Sequence, residues 1–249
     1  MKKSRIILIS GWGMGEQVWD LFLPYLQGVP VSIVHWRNVE NDEDFKRRIV
    51  EEARDEEVIL VGWSLGALAA INVYHSIQTK GIVLLGGTAK FITDREYKHG
   101  WKSVFVERMK RNLLKQQEII LKKFYASMFS IAEQEAGESH AFQRIADQFQ
   151  NDSPQSLQCG LQYLIESDVR KQLGKIEAPL LLLHGEEDAI CPLSAAQYIQ
   201  EKTNAQLRLI KQAGHALCFT HPKQCAEEIL SFIKESERND QQSVVTKKI

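Results

Sequence analysis

The sequence predicts an α/β fold with a doubly wound, mainly parallel sheet into which an all-helical cap is inserted. Three observations carry this. Short β-rich runs alternate with helical stretches over residues 5–85 and again over 179–234, as in strands joined by crossover helices. Runs such as Val58–Val61 and Leu180–Leu183 are apolar without alternation, which suits strands covered on both faces. From about Phe91 to Gly174 no strand pattern occurs, and apolar residues such as Phe105, Met109, Leu113 and Ile120, Phe124 fall at helical spacing.

In chain order, Arg5–Ser10 reads as a buried strand and Glu16–Leu26 as helical. Val31–Trp36 is the next strand, followed by an amphipathic helix over Asp42–Arg54. Glu57–Gly62 is a third strand, Ser64–His75 a third helix and Gly81–Leu85 a fourth strand. Beyond the insertion, Pro179–His184 and Gln206–Ile210 are strands, with helices near Leu193–Lys202 and Pro222–Lys234. Residues 1–90 and 175–236 are thus expected to form the core and 91–174 the cap. Glu235–Ile249 is polar and aperiodic and is expected to fray, with 237–249 a disordered tail.

The 249 residues suit one large core. With 44% hydrophobic residues, 25% charged and a net charge of −1, nothing points to nucleic acid or a membrane surface as partner. No apolar run approaches the roughly 20 residues of a membrane span, and Ile6–Ile9 is too short for a signal-peptide core. Cys159, Cys191, Cys218 and Cys225 form neither a disulfide framework nor a metal pattern. They are expected to be reduced structural thiols in a cytoplasmic, monomeric protein that needs no metal or other cofactor.

The candidate chemistry begins at Gly62-Trp63-Ser64-Leu65-Gly66, a G-x-S-x-G pattern between an apolar strand and a helix of small residues. The two glycines permit a sharp strand-to-helix turn that would present Ser64 as a nucleophile. A serine needs a base, and the base needs an orienting group. "LLLLHGEEDAICP" puts Asp188 just past one strand, and "LRLIKQAGHALCFTHP" puts His215 past the next. One intervening helix and strand fit the 27-residue step, so both loops should open at the same end of the sheet. Glu186 and Glu187 come earlier in their turn and read as solvated carboxylates. His184 ends a strand and reads as buried, while His221 precedes Pro222 at a helix start. Expected oxyanion donors are the backbone amides of Leu65, at a helix N-terminus, and Trp12, in the glycine-rich loop Gly11-Trp12-Gly13.

The order Ser64, Asp188, His215 and the elbow resemble the α/β-hydrolases over nearly the whole chain. More closely, the chain resembles the pimeloyl-[acyl-carrier protein] methyl ester esterases of biotin synthesis. That likeness rests on Gly11-Trp12-Gly13 followed by Trp19, the elbow, the run from "GLQYLIESDVRKQL" to "APLLLLHGEEDAICP", and "AGHALCFTHP". The resemblance implies a serine esterase acting on a small acyl ester carried by acyl-carrier protein. A general small-acyl esterase or thioesterase is an alternative. So are a same-fold lyase of menaquinone synthesis and a non-catalytic binding protein, the last opposed by the complete triad. Relatives usually carry His-Gly where this chain has Ser10-Gly11.

Between Lys98 and Lys123 eight basic residues face two acidic ones, +6, while the remainder balances to −7. A basic cap on an acidic body suits a small acidic partner such as a carrier protein, with Arg108, Arg111, Lys115 and Lys122 as expected contacts. A solvated helix face is the plainer reading. Trp12, Trp63, Phe124, Tyr125 and Phe129 are expected to line the acyl site, though helical spacing equally fits cap core.

Overall fold

A computed structural model of the chain describes residues 4–149 and 152–246. Six strands, β1 (Arg5–Ile9), β2 (Val31–Val34), β3 (Val58–Trp63), β4 (Thr79–Leu85), β5 (Leu180–Gly185) and β6 (Gln206–Ile210), form one sheet in the order β2-β1-β3-β4-β5-β6. Every pairing is parallel. Every residue of β3 and β5 is buried, which is why these runs show no polar alternation.

Helices cross over between strands. α1 (Asp42–Ala53) starts where the Asn41 side chain accepts the Asp44 N–H at 3.3 Å, with three acidic residues in its first turn. Both features favour a helix start, the cap alone by about 1 kcal/mol. α2 (Leu65–Val73) is apolar and buried at every position but Asn72. The segment expected as one helix over Glu16–Leu26 is two 3₁₀ turns instead, Glu16–Trp19 and Leu23–Leu26. Pro24, inside the second turn, has no N–H to continue an α-helical ladder.

Between β4 and β5 lie α3 (Ser103–Ala126), α4 (Ile131–Glu135), α5 (Glu138–Ala146), α6 (Pro154–Glu166) and α7 (Arg170–Leu173). Among the described residues of this stretch the extended pairings are two isolated bridges, Lys90 to Asp168 and Ile92 to Trp101. The first of them straps the outgoing and returning chain together. It is reinforced by the Val169 N–H on Ala89 O at 2.9 Å. Lys90 meets Asp94 at 2.6 Å, and Arg170 meets Asp168 at 2.6 Å and Asp94 at 3.0 Å. α3 breaks at Gln116, whose φ of −142° leaves the helical region. Its inward face begins at Val106 rather than Phe105, which is exposed.

α8 (Leu193–Lys202), α9 (Leu217–Thr220) and α10 (Pro222–Thr246) complete the chain. The frayed tail expected from Glu235 is corrected as far as Thr246: α10 runs straight through it. Its Glu, Arg and Gln residues are good helix formers, and the Ser236 hydroxyl, buried, donates to Phe232 O at 2.9 Å. Residues 247–249 of that tail lie outside the described residues. Among the described residues no helix is long and apolar enough to cross a membrane.

Candidate active site

β3 delivers the chain into the elbow, and two glycines let it turn. A Cβ on Gly62 would sit 2.4 Å from Gly66 O, and one on Gly66 would sit 2.2 Å from Ile9 O. Neither position tolerates a side chain. Between them Ser64 takes φ 59° and ψ −117°, a region costly for any residue with a Cβ. The Ser64 N–H to Leu85 O bond at 3.0 Å anchors the turn to β4.

Asp188 follows β5 and His215 follows β6, and the two meet at the same end of the sheet. His215 Nδ1 lies 2.7 Å from Asp188 Oδ2, both side chains fully buried. Asp188 Oδ1 accepts the N–H groups of Ile190 and Cys191 at 2.9 and 2.8 Å. The carboxylate is therefore fixed at both oxygens. His215 Nε2 is buried with no hydrogen-bond partner, so it and Ser64 Oγ are not hydrogen-bonded to each other. Such bonds often tighten only when substrate binds. The Trp63 indole N–H donates to His215 O at 2.9 Å, holding the histidine backbone from beneath.

The loop after β1 is packed by indoles. Ser10 Oγ accepts from Trp19 Nε1 at 3.0 Å, and Ser10 O accepts from Trp36 Nε1 at 2.7 Å. A serine thus anchors this loop through both its side chain and its carbonyl. Trp12 Nε1 donates to Leu157 O of α6 at 2.9 Å, and its ring meets Phe124 edge-on at 5.0 Å. The Trp12 and Leu65 amide N–H groups have no acceptor among the described residues. Tyr125 Oη donates to Gly13 O at 2.5 Å. A 20 Å³ cavity opens beside Gly13 and Met14, and a wider cleft of 380 Å³ includes Gln117, Lys122 and Gln143; Leu121 and Tyr125 line both.

The profile of the alpha/beta hydrolase family matches residues 6–228. The chain belongs to that family. A pimeloyl-[acyl-carrier protein] methyl ester esterase of Aromatoleum aromaticum is 27% identical over 94% of this chain and 100% of that protein. One from Vibrio vulnificus is 26% identical over 91% of this chain and 93% of its own. Among solved structures, a bromoperoxidase from Bacillus anthracis superposes with a TM-score of 0.81 at 22% identity, covering 93% of this chain and 92% of that one.

Within this α/β-hydrolase frame the remaining candidates separate. Glu186 and Glu187 are exposed. His184 is buried at the end of β5, its Nε2 2.7 Å from Cys191 O and 3.6 Å from Asp188 Oδ2; burial pushes its pKa down. His221 stands at the start of α10, its Nδ1 3.6 Å from Glu133 Oε1. Trp63 is wholly buried against Trp19 and His215, and Phe129 packs edge-on against Phe142. Neither lines either of the two cavities, nor do Trp12 and Phe124; of the five residues expected at the acyl site, Tyr125 does. Arg108, Arg111, Lys115 and Lys122 are exposed on α3 and form no ion pair among the described residues. No group of three or more metal-ligating side chains occurs among those residues. All four cysteines are free; Cys191, Cys218 and Cys225 are buried, and burial raises their pKa values.

Sequence reasoning missed Gly86. At φ +53° it lies where a Cβ would come 2.8 Å from His215 Nδ1 and 3.1 Å from Asp188 Oδ2. Its only sequence signal is a Gly-Gly pair directly after a strand.

Proposed function

We propose that this chain is a serine carboxylic-ester hydrolase with Ser64 as nucleophile, His215 as base and Asp188 as orienting acid. The observation that carries this reading is the fully buried Asp188–His215 pair, together with a serine held at φ 59° in the turn after β3. His215 Nε2 takes the Ser64 proton as Oγ attacks the ester carbonyl carbon. The Trp12 and Leu65 amides, which have no acceptor of their own, receive the oxyanion. The tetrahedral intermediate collapses, and His215 returns the proton to the leaving alcohol. Water, deprotonated by the same nitrogen, then attacks the acyl-serine and releases the acid. Asp188 keeps Nδ1 protonated throughout and stabilises the transient imidazolium.

The names of the relatives favour the methyl ester of pimeloyl-acyl-carrier protein as substrate, with methanol and the free carboxylate as products of a biotin-synthesis step. Trp12, Phe124 and Tyr125 would form the acyl wall, reached along the cleft that Leu121 and Lys122 line. The exposed, unpaired cations of α3 suit an acidic carrier at the rim. A panel of methyl, p-nitrophenyl and carrier-bound esters of differing chain length tests this. A clear preference for the carrier-bound methyl ester of a seven-carbon diacid supports the substrate. Equal turnover of short free esters would leave a general esterase.

A further inference from the structure

The loop that carries His215 is held from two sides, and the outer side belongs to the helical insertion. From the core, Trp63 Nε1 donates to His215 O and the Glu187 N–H donates to Ala213 O at 3.0 Å. From the insertion come three bonds, all within Met128–Glu133. The His215 N–H donates to Met128 O at 2.6 Å, and Ser130 Oγ donates to Gln212 O at 2.6 Å. The third is the Gly214 N–H, which donates to Glu133 Oε2 at 2.9 Å. The same carboxylate oxygen accepts the Ser130 N–H at 2.8 Å, while Ser130 Oγ accepts the Glu133 N–H at 3.1 Å.

Reciprocal Ser–Glu bonding of this kind is a capping box and would satisfy the start of α4 alone. Two features go beyond a cap. Glu133 is only 4% exposed although acidic residues are rarely buried, and one oxygen serves both the helix start and the residue next to His215. Gly214 also sits so close that a Cβ there would be 2.4 Å from Met128 O and 3.0 Å from Glu133 Oε2. Backbone packs on backbone, and the Glu133 carboxylate and the Ser130 hydroxyl are the side-chain groups that tie the two together.

We infer that Glu133 is a positioning residue for His215: its carboxylate clamps the β6–α9 loop to the insertion and so fixes the imidazole against Asp188 and Ser64. It touches no reacting atom. Without it, two buried N–H groups lose their acceptor, and relaxation of the loop displaces the imidazole. A displacement near 1 Å costs on the order of 100-fold in turnover. Glutamine keeps a carbonyl oxygen that accepts both N–H groups, so it should preserve the clamp without the charge.

The inference rests on the proposed roles of Ser64 and His215, and its test separates the two. Hydrolysis of a p-nitrophenyl ester and phosphonate labelling of Ser64 are measured in wild type, Glu133→Gln, Glu133→Ala and Ser130→Ala. The low-field NMR signal of the His215 Nδ1 proton, bonded to Asp188, is recorded in each. In Glu133→Ala, kcat and labelling should fall roughly 10- to 100-fold with KM little changed, and the low-field signal should broaden or vanish. Glu133→Gln should stay within about threefold of wild type and keep the signal. Should Glu133→Ala not fold, Glu133→Asp, whose carboxylate falls one methylene short of the Gly214 N–H, takes its place and should lose about three- to tenfold. Ser130→Ala, which leaves the carboxylate in place, should lose less than Glu133→Ala or Glu133→Asp. Wild-type turnover and signal in folded Glu133→Ala, or in Glu133→Asp if that variant alone folds, would overturn the clamp, as would a larger loss in Ser130→Ala. Equal loss in Gln and Ala would do so too. Wild type unlabelled at Ser64 would instead overturn the serine mechanism, with the NMR signal still reporting on the clamp.

Discussion

Ser64 occupies a backbone region that side chains avoid, and it is held there by Gly62, Gly66 and the bond to Leu85 O. That strain is what a presented nucleophile requires, so Ser64→Ala should retain the fold and lose ester hydrolysis. Asp188 accepts two backbone N–H groups through one oxygen and His215 through the other. In Asp188→Asn the amide keeps the first role and turns an NH₂ toward His215 Nδ1, favouring the wrong tautomer. Steady-state kinetics should show kcat down by about 10⁴ with an unchanged circular dichroism spectrum. Glu186→Gln and Glu187→Gln, both at exposed positions, should stay near wild type; a large loss in either would move the acid. Ser64 and Asp188 stood out as candidates because each follows a fully buried apolar strand, and His215 because it follows the next strand in the short run Ala-Gly-His-Ala-Leu. Gly86 and Glu133 did not, because their meaning lies in contacts across 129 and 81 positions of sequence.

The helical insertion meets the core at a charged neck and meets solvent along α3, and each makes its own prediction. At the neck, Lys90 above all, then the Glu96 and Tyr97 amides and Arg170, hold the Asp94 carboxyl well below the usual range. Arg170 first, and Lys90 last, lower that of Asp168. Folded values below the unfolded value near 3.9 mean that the stabilisation is complete above that pH. It is lost as pH falls through the folded values. Arg170→Ala should therefore lower the urea midpoint at pH 7, and the gap to wild type should close toward pH 2. On α3, Arg111→Glu with Lys115→Glu should raise KM for a carrier-bound ester and leave a small free ester unaffected. The difference should shrink with salt, since the Debye length falls from about 10 Å at 0.1 M to about 3 Å at 1 M. Equal loss on both substrates would point to a deformed helix. Helical spacing announced α3 but not its break at Gln116 or its rotation, since Phe105 and Val106 are equally apolar and only packing chooses between them. The polar end of α10 shows no apolar periodicity in the sequence, and its Glu, Arg and Gln residues favour a helix through intrinsic propensity.

At the scale of the whole molecule, an all-parallel sheet gathers the loops after β1, β3, β5 and β6 at one edge, which is where ligands of such sheets bind. The insertion closes over that edge through Tyr125 on Gly13, Trp12 on Leu157 and Met128 on His215. Strand–helix alternation could be read from the sequence because two-sided burial of β3 and β5 leaves unbroken apolar runs; the order of the strands could not, because nothing local records which strands pair. The seating of the insertion could not, because its contacts are mostly backbone carbonyls that any sequence supplies. All of this architecture serves one claim, that Ser64 is an activated nucleophile. The most direct measurement is to treat the intact protein with a serine-directed phosphonate and map the adduct by peptide mass spectrometry while following ester hydrolysis. A single adduct on Ser64, formed in step with loss of activity and absent from Ser64→Ala, is the expected result. An adduct on another residue, or hydrolysis by Ser64→Ala at the wild-type rate, would contradict it.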